Sequence, residues 1–452
     1  MIPDNLIQEI KEKSNITEVV SEFTTLNKKR NRHVGLCPLH GEKTPSFHIL
    51  FDEVHFKCFG CGIGGDVFKF LMEQKNISFP EAVQYVAKKY NVPMPQTKLT
   101  PQEEEEHKLK ESLFIVTDVA NDYFQKQLVK SETVKNYLEG RGINKESVAK
   151  FQIGFKGRTY LTTYLLKQKY NIEHLKMLSL TSEKNNDSIR NRITFPIQNI
   201  YGRIVGFAHR EIKKVKGFSK YLNPKGSILY DKKNILYGLN HAYSSIKQTG
   251  NCIIVEGYID VILLHQYGFT NSVALCGTAL TNEQASLIKK YCSKVTLMLD
   301  SDDSGIKAMD KAIPILLKNS FEVNLVILDN EKDPSDYLSD KDTNFNEILQ
   351  EKKQSFYEYQ SQKINATNDI PIKTKLINDL IDIASSIPND ITRGIYINQI
   401  EQDFNISKES INQQMQQSKF KSLDTFINLS KQELKQTLKL IEVEQDTSLK
   451  NR

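Results

Sequence analysis

The chain has 452 residues, 39% of them hydrophobic and 26% charged, with a net charge of +6. That length exceeds a single domain of roughly 100–200 residues, and the apolar share supports ordinary soluble cores. No run approaches the ~18 consecutive apolar residues of a membrane span, and Met1-Ile2-Pro3-Asp4-Asn5 lacks the basic-then-apolar layout of a secretory signal, so a cytoplasmic address is expected.

The first unit is expected over residues 1–97. Cys37-Pro38-Leu39-His40 and Cys58-Phe59-Gly60-Cys61 form a C-x2-H and a C-x2-C pair with 17 residues between them. Four soft or borderline ligands at this spacing suit one tetrahedral Zn2+ with no open position, hence a structural site. Glycines at 60, 62, 64 and 65 permit the turns such a knuckle needs. Cys252, Cys276 and Cys292 are scattered and read as plain buried thiols, because six cysteines in this length are too few for a disulfide scaffold. His33, His48 and His55 are near the site but are expected not to ligate. Lys28, Lys29, Arg30, Arg32, His33, Lys43 and Lys57 are interleaved with Phe47, Phe51, Phe56 and Phe59, a mixture that suits single-strand binding by phosphate contact and base stacking. Phe47 and Phe56 are expected in the core, leaving the basic residues as the better contacts. Ser78 and Glu81 make a capping box around Pro80, and Val83, Val86, Ala87 and Tyr90 recur at helical spacing. A short helix on the metal module is predicted.

Residues 98–112, with Pro101 and an acidic run from Glu103 to Glu106, read as a linker or an exposed helix start. A second unit is expected over 113–245. From 141 to 233 it carries 20 Lys and Arg against six Asp and Glu, an excess of 14 that leaves the rest of the chain at −8. Such a block suits phosphate backbones, since each neutralised phosphate releases counterions. Apolar segments at 193–200 and 203–208 flank Tyr201-Gly202, which predicts a hairpin.

Over 246–345 short apolar runs alternate with helical patterns: 252–255, 258–267, 272–275, 282–291, 295–299, 306–318 and 323–328. That succession predicts an α/β fold with a largely parallel sheet, whose strand ends are where chemistry is sought. Glu256 ends one predicted strand, and Asp300 and Asp302 follow another. Asp333-Pro334-Ser335-Asp336 follows a third. Crowded carboxylates repel one another unless a cation neutralises them, so these residues predict an oxygen-rich site for Mg2+ or Mn2+. Such a cation serves phosphoryl displacement.

Residues 346–417 turn helical and polar, with Ile377, Leu380, Ile381 and Ala384 on one helical face. A helical or disordered tail is expected over 418–452.

Together these residues resemble the bacterial DnaG-type primases, whose catalytic part is a toprim domain. The zinc module is similar to that family's CHC2 ribbon, in the two ligand pairs and in Lys43-Thr44-Pro45-Ser46-Phe47. The middle block is similar in Tyr137-Leu138 with Arg141-Gly142, in Arg192 with Phe195-Pro196-Ile197, in Gly206-Phe207 with Arg210, in Lys220-Tyr221-Leu222-Asn223 and in Tyr237-Gly238-Leu239. The toprim part is similar in Val255-Glu256-Gly257-Tyr258-Ile259-Asp260-Val261, Gly277-Thr278-Ala279-Leu280, Asp300 to Gly305, and Asp333-Pro334.

The resemblance implies a multidomain α/β and α+β protein: an N-terminal zinc ribbon, a basic α+β subdomain, a toprim α/β subdomain and a helical closing segment. It implies Glu256, Asp300, Asp302 and Asp333 as catalytic or metal-binding carboxylates. Arg141, Arg192, Arg210, Lys220, Tyr221, Asn223 and Lys232 become the nucleotide and template contacts. The expected reaction is attack of a 3′-hydroxyl on the α-phosphorus of a ribonucleoside triphosphate, templated by single-stranded DNA, with pyrophosphate leaving. Expected protein partners are a replicative helicase and a single-strand binding protein. Ser335 stands where the family often has a further acid. Only about 35 residues follow the region that resembles the end of the catalytic core, so a short form without most of the helicase-binding domain is expected. A different toprim enzyme, a nuclease or topoisomerase, is one alternative; a non-catalytic zinc-ribbon DNA-binding protein is the other.

Overall fold

A computed structural model describes residues 4–29, 32–50, 54–75, 77, 79–94, 101–158, 160–213, 217, 219–275, 277, 279–328, 334–339 and 344–417. They fall into two compact units, Met1–Thr249 with Val261–Cys276, and Gly250–Asp260 with Gly277–Arg452. No helix among the described residues is long and apolar enough to cross a membrane.

The first unit opens with α1 (Asp4–Lys13) and α2 (Ile16–Ser21). Asn15 caps α2, its side chain accepting from the Thr17 N–H at 2.9 Å. An antiparallel meander follows, β1 (Leu26–Lys29), β2 (Arg32–Gly35), β3 (Phe47–Ile49), β4 (Phe56–Cys58) and β5 (Gly64–Gly65), backed by α3 (Val67–Lys75) and α4 (Phe79–Lys89). Strand alternation turns Phe47, Ile49, Phe56 and Cys58 inward and pairs His48 with Lys57 on the outer side. Phe47 stacks on Phe56 at 5.0 Å, and Phe70 meets both rings edge-on at 5.8 and 5.6 Å. Phe47 and Phe56 are therefore core, as expected. Val83, Val86 and Ala87 of α4 are buried in the same cluster. Arg30, Phe51 and Ser78 lie outside the described residues.

Residues 101–112, read above as a linker or helix start, are the first turns of α5 (Pro101–Val129). Then come α6 (Glu132–Gly140), α7 (Lys145–Lys150), β6 (Gly154–Lys156), α8 (Leu161–Lys167), α9 (Ile172–Met177), β7 (Arg192–Gln198), β8 (Ile204–Glu211) and β9 (Tyr221–Leu222). The four strands make an antiparallel sheet in chain order. The hairpin predicted at Tyr201-Gly202 joins β7 to β8, with the Gly202 N–H donating to the Asn199 carbonyl at 2.9 Å. One face of the sheet packs on α5, where Phe124 meets Phe207 edge-on at 5.2 Å. A 3-10 turn (Lys232–Asn234) and α10 (Leu239–Thr249) complete this part.

The second unit begins with β10 (Asn251–Val255). The chain then runs through α11 (Tyr258–Gln266) back into the first unit, where β11 (Ser272–Ala274) bridges to Tyr237 through Ala274. Next come α12 (Asn282–Lys289), β12 (Lys294–Leu297), α13 (Asp303–Lys318), β13 (Glu322–Val326), α14 (Pro334–Ser339), α15 (Phe345–Glu351), β14 (Lys353–Ser355), α16 (Phe356–Asn365), α17 (Ile370–Ser385) and α18 (Asp390–Phe404). β10, β12 and β13 are parallel, with Ile253 beside Thr296 and Thr296 beside Asn324, while β14 adds an antiparallel edge. The sheet is thus largely parallel, as predicted. β10, covered on both faces as a parallel strand between neighbours is, is a continuous apolar run: Cys252, Ile253, Ile254 and Val255 are all buried. Leu380, Ile381 and Ala384 of α17 share a buried face, with Ile377 half-buried beside them. The expected tail, 418–452, lies outside the described residues.

Candidate metal centres and basic cluster

Four sequence-predicted ligands converge in the first unit. The ligand atoms of Cys37, His40, Cys58 and Cys61 all lie within 4.8 Å of one another. A tetrahedron with Zn–S near ~2.3 Å and Zn–N near ~2.0 Å has edges somewhat shorter than that, so small inward shifts close it on the ion. Cys58 ends β4, and the chain turns back at once: the Gly62 N–H donates to the Cys58 carbonyl at 3.0 Å, with Gly62 at φ +76°. That left-handed backbone favours glycine. The Cys61 N–H points at the Cys58 sulfur at 3.3 Å, which suits a thiolate. Burial pushes the Cys58 thiol up, but hydrogen bonds from the Ser46 hydroxyl and the Cys61 N–H outweigh it and hold the group below its ordinary value. Burial drives the Cys37 and Cys61 thiols the other way.

Glu42 organises this site and was not singled out in the sequence. Its Oε1 accepts from the Cys37 N–H at 2.6 Å and the Ser46 N–H at 3.1 Å, and its Oε2 lies 3.2 Å from His40 Nε2. His40 therefore turns Nδ1 toward the sulfurs, 3.9 Å from Cys58 Sγ. A carboxylate behind a ligating imidazole fixes its tautomer and orientation. Hydrogen bonding from Ser46 is the main reason the Glu42 carboxyl sits below its ordinary range. The only signal in the sequence is an acid two positions after the histidine. Among the described residues His33, His48 and His55 join no such cluster; His33 and His48 sit on β2 and β3. Phe59 stays 64% exposed on the knuckle, with its ring edge-on to His48 at 5.0 Å.

In the second unit the ends of β10 and β12 bring two acids together. Glu256 directly follows β10, and its Oε1 accepts from the Asp300 N–H at 3.4 Å. Asp302 is the N-cap of α13, its Oδ1 accepting from the Gly305 N–H at 2.8 Å. One oxygen of Asp302 is thus committed to a helix cap. A Cβ on Gly305 would stand 2.0 Å from the Asp300 carbonyl oxygen, so glycine is what lets the helix start against that strand end. Burial, then the charges of Asp300 and Asp302, push the Glu256 carboxyl up to about 7. Three acids so placed are an anionic centre that a hard divalent cation would relieve. Among the described residues only the cysteine–histidine cluster has its ligand atoms already converged. The acids repel one another, so their oxygens have no reason to close up without a counter-charge. Asp333 lies outside the described residues; Ser335 is buried and Asp336 exposed on α14.

Of the predicted basic contacts, the first unit gathers some and separates one. Arg210 on β8 donates from Nε to the Tyr137 hydroxyl at 2.8 Å and from Nη1 to the Tyr221 hydroxyl. Its guanidinium lies 4.9 Å from the Tyr221 ring, and Arg141 lies 5.8 Å from the Tyr137 ring. Tyr137, one helical turn before Arg141, carries the family resemblance in the sequence and here joins the cluster as a hydrogen-bond partner, a role not assigned to it there. Lys220 is exposed and Asn223 half-buried beside Tyr221, and Lys232 opens the 3-10 turn that Asp231 caps. Arg192 belongs to the opposite face of the sheet: it pairs with Glu211, whereas Arg210 pairs with Ile193.

Comparison with known proteins covers most of the chain. Residues 2–102 match the CHC2 zinc finger family, 123–243 the DNA primase catalytic core N-terminal domain, and 253–338 a Toprim-like family. The DNA primase of Clostridium acetobutylicum is 33% identical over 422 residues, which span 91% of this chain and 70% of the relative. That of Halalkalibacterium halodurans is 31% identical, spanning 91% and 71%. Among solved structures, the zinc-binding and RNA polymerase domains of the Aquifex aeolicus primase superpose with TM-score 0.61 at 29% identity, covering 90% of this chain and 98% of that one. A DNA primase domain from Pseudomonas aeruginosa gives 0.60 at 26% identity, covering 67% and 99%.

Proposed function

The chain belongs to the DnaG-type DNA primases, RNA polymerases that make RNA primers, and from that premise we propose that Glu256, Asp300, Asp302 and Asp333 carry its chemistry. The observation behind this reading is the Glu256 carboxylate on the Asp300 amide with a proton affinity raised to about 7. The family implies one structural Zn2+ and a catalytic divalent cation. Cys37, His40, Cys58 and Cys61 would hold the zinc; Glu256, Asp300 and Asp302 would hold Mg2+ or Mn2+. When bound, the catalytic cation neutralises phosphoryl oxygens and eases loss of the primer 3′-hydroxyl proton.

The chain's own residues set the remaining terms. Asp302 is fixed by its cap bond, which leaves its second oxygen for a cation, and the Gly305 contact fixes the backbone that carries Asp300. Glu256, poised near neutral pH, is suited to exchange a proton at its carboxyl oxygen as well as to ligate. Arg141, Arg210, Lys220, Tyr221, Asn223 and Lys232 bind the triphosphate or the template. Arg210 is pre-aimed by two tyrosines, so little side-chain freedom is lost on binding. The basic residues and exposed Phe59 of the zinc module meet single-stranded template by charge and stacking.

We assign residues 1–97 to the zinc-binding domain, 98–112 to a connection that enters α5, 113–245 to the basic subdomain, 246–345 to the toprim subdomain and 346–417 to the closing helices, with 418–452 as a tail. The protein works in the cytoplasm at the replication fork, on single-stranded DNA and ribonucleoside triphosphates, with a replicative helicase and a single-strand binding protein as expected neighbours.

Incubation with single-stranded DNA, the four ribonucleotides and Mg2+ tests the reading. Short RNA products are expected, and nicking or relaxation without synthesis overturns it.

A further inference from the structure

Arg192 and Arg210 share a hairpin but not a face. Arg192 lies opposite Glu211, and the next residue, Ile193, lies opposite Arg210; successive strand residues point to opposite sides. On the Arg192 side β6 contributes Lys156, directly across from Arg192. Asp187 holds Lys156 at 2.7 Å with both side chains 1% exposed, and Glu211 holds Arg192 at 3.5 Å. Two cations adjacent across the strands are thus each matched by an anion of their own.

Arg192 is 6% exposed and Arg210 4%, so burial does not separate the two; their partners do, tyrosine hydroxyls for Arg210 and an anion with backbone carbonyls for Arg192. Arg192 Nη1 donates to the Ser219 carbonyl at 3.0 Å and the Lys220 carbonyl at 3.4 Å. The Lys220 carbonyl also accepts from the Glu211 N–H at 2.9 Å. These bonds fall just before β9, an edge strand of two residues whose register pairs among the described residues are His209 with Leu222 and Arg210 with Tyr221. A strand that short is weakly specified by its own ladder, and charge-assisted bonds from a strand two places away add the missing constraint.

We propose that Arg192 is a positioning residue: it touches neither template nor nucleotide, and it clamps residues 219–223 so that Lys220 and Tyr221 are presented in one place. This rests on the reading above that Lys220 and Tyr221 contact the triphosphate or template.

The test uses the full chain as Arg192→Lys, as Arg192→Met with Glu211→Gln, which strands no buried charge, and as Lys220→Ala with Tyr221→Phe. Amide hydrogen exchange reads the clamp alone. With Arg192→Met and Glu211→Gln, residues 220–223 are expected to exchange about tenfold faster, while the β7–β8 ladder keeps its protection. Arg192→Lys, which keeps the charge and loses the fork, is expected to rescue only part of that protection. Ribonucleotide KM is expected to rise more than kcat falls. Adding the Arg192 and Glu211 changes to the Lys220→Ala Tyr221→Phe chain is expected to cost less than about twofold more. Unchanged exchange at 220–223 overturns the proposal. So does a further drop of about 0.7 in the log–log salt slope of template binding in that last chain, the signature of a lost phosphate contact on a single strand. Wild-type KM and template affinity in Lys220→Ala Tyr221→Phe would instead remove the assignment of those two residues, and the exchange result still decides the clamp.

Discussion

The Asp300 N–H reaches the Glu256 carboxylate at 3.4 Å across 44 residues of sequence, which ties the ends of two parallel strands into one anionic centre. Replacing Asp300 with alanine keeps the backbone donor and removes a carboxylate, so it separates the centre's chemistry from its architecture. Primer synthesis is expected to fall by about 100-fold or more, the scale of losing one preorganised electrostatic contact. Affinity for single-stranded DNA is expected to stay within about twofold, since the basic cluster is untouched. An Asp300→Ala chain that matches the wild-type primer yield removes Asp300 from the site.

Glu256 predicts a pH dependence with a definite sign. Its ordinary value is 4.5, and burial with the charges of Asp300 and Asp302 lifts it to about 7. Between those values the folded, cation-free protein keeps a proton that the unfolded chain has released, so this group's contribution to stability falls as pH rises through the window. Cation-free melting temperature is expected to drop between pH 5 and pH 8 more steeply in the wild type than in Glu256→Gln. Mg2+ is expected to restore stability at pH 8 and much less at pH 5.5, with affinity rising about tenfold per pH unit up to 7 if one proton is displaced. Calorimetric titration of Mg2+ measures this. Equal pH slopes in wild type and Glu256→Gln rule the linkage out.

The zinc ligands were legible because chelate spacing is local: each pair sits within one turn, and four such ligands have few other uses. The parallel sheet was legible because strands covered on both faces read as unbroken apolar runs, as at 252–255. What stayed hidden depends on pairing between distant segments. That Arg192 and Arg210 point to opposite faces follows from the β7–β8 register, which no charge count reveals. Glu42 is hidden for a different reason: its partners Cys37, His40 and Ser46 are all within five residues, but only the fold of that turn shows that this acid faces the imidazole. Helix starts were also blurred: α13 begins at Asp303, ahead of the apolar pattern that starts at 306, because Asp302 caps a turn with little apolar content.

Gly305 is the backbone counterpart of Asp300. A methyl group there would stand 2.0 Å from the Asp300 carbonyl oxygen and 2.7 Å from its carbon, and neither backbone atom can rotate away. Gly305→Ala must therefore push the strand end from the helix start. A loss of roughly 1–3 kcal/mol of stability is expected, as for other overpacked sites, together with a fall in synthesis larger than the melting shift explains. Chemical denaturation and primer yield, measured together, test this. Wild-type activity in a stably folded Gly305→Ala chain shows that the spacing of Asp300 from α13 is not critical.

Glu42→Gln isolates the support behind the zinc site. The amide oxygen can still accept from the Cys37 and Ser46 N–H groups, but the charge facing His40 Nε2 at 3.2 Å is gone. The imidazole becomes a poorer donor and its Nδ1 is less firmly aimed, so zinc affinity is expected to fall about 10–100-fold. Replacing Cys58 removes a ligand outright and is expected to lose the ion and loosen the whole N-terminal unit. Because Cys58 is also fully buried in the module's core, its loss mixes ligation with packing; Glu42→Gln does not, which makes it the cleaner probe. Competition of each variant against a zinc chelator, followed by release of the metal, gives the order wild type, Glu42→Gln, Cys58→Ser. If Glu42→Gln holds zinc as tightly as the wild type, His40 is oriented by the turn alone.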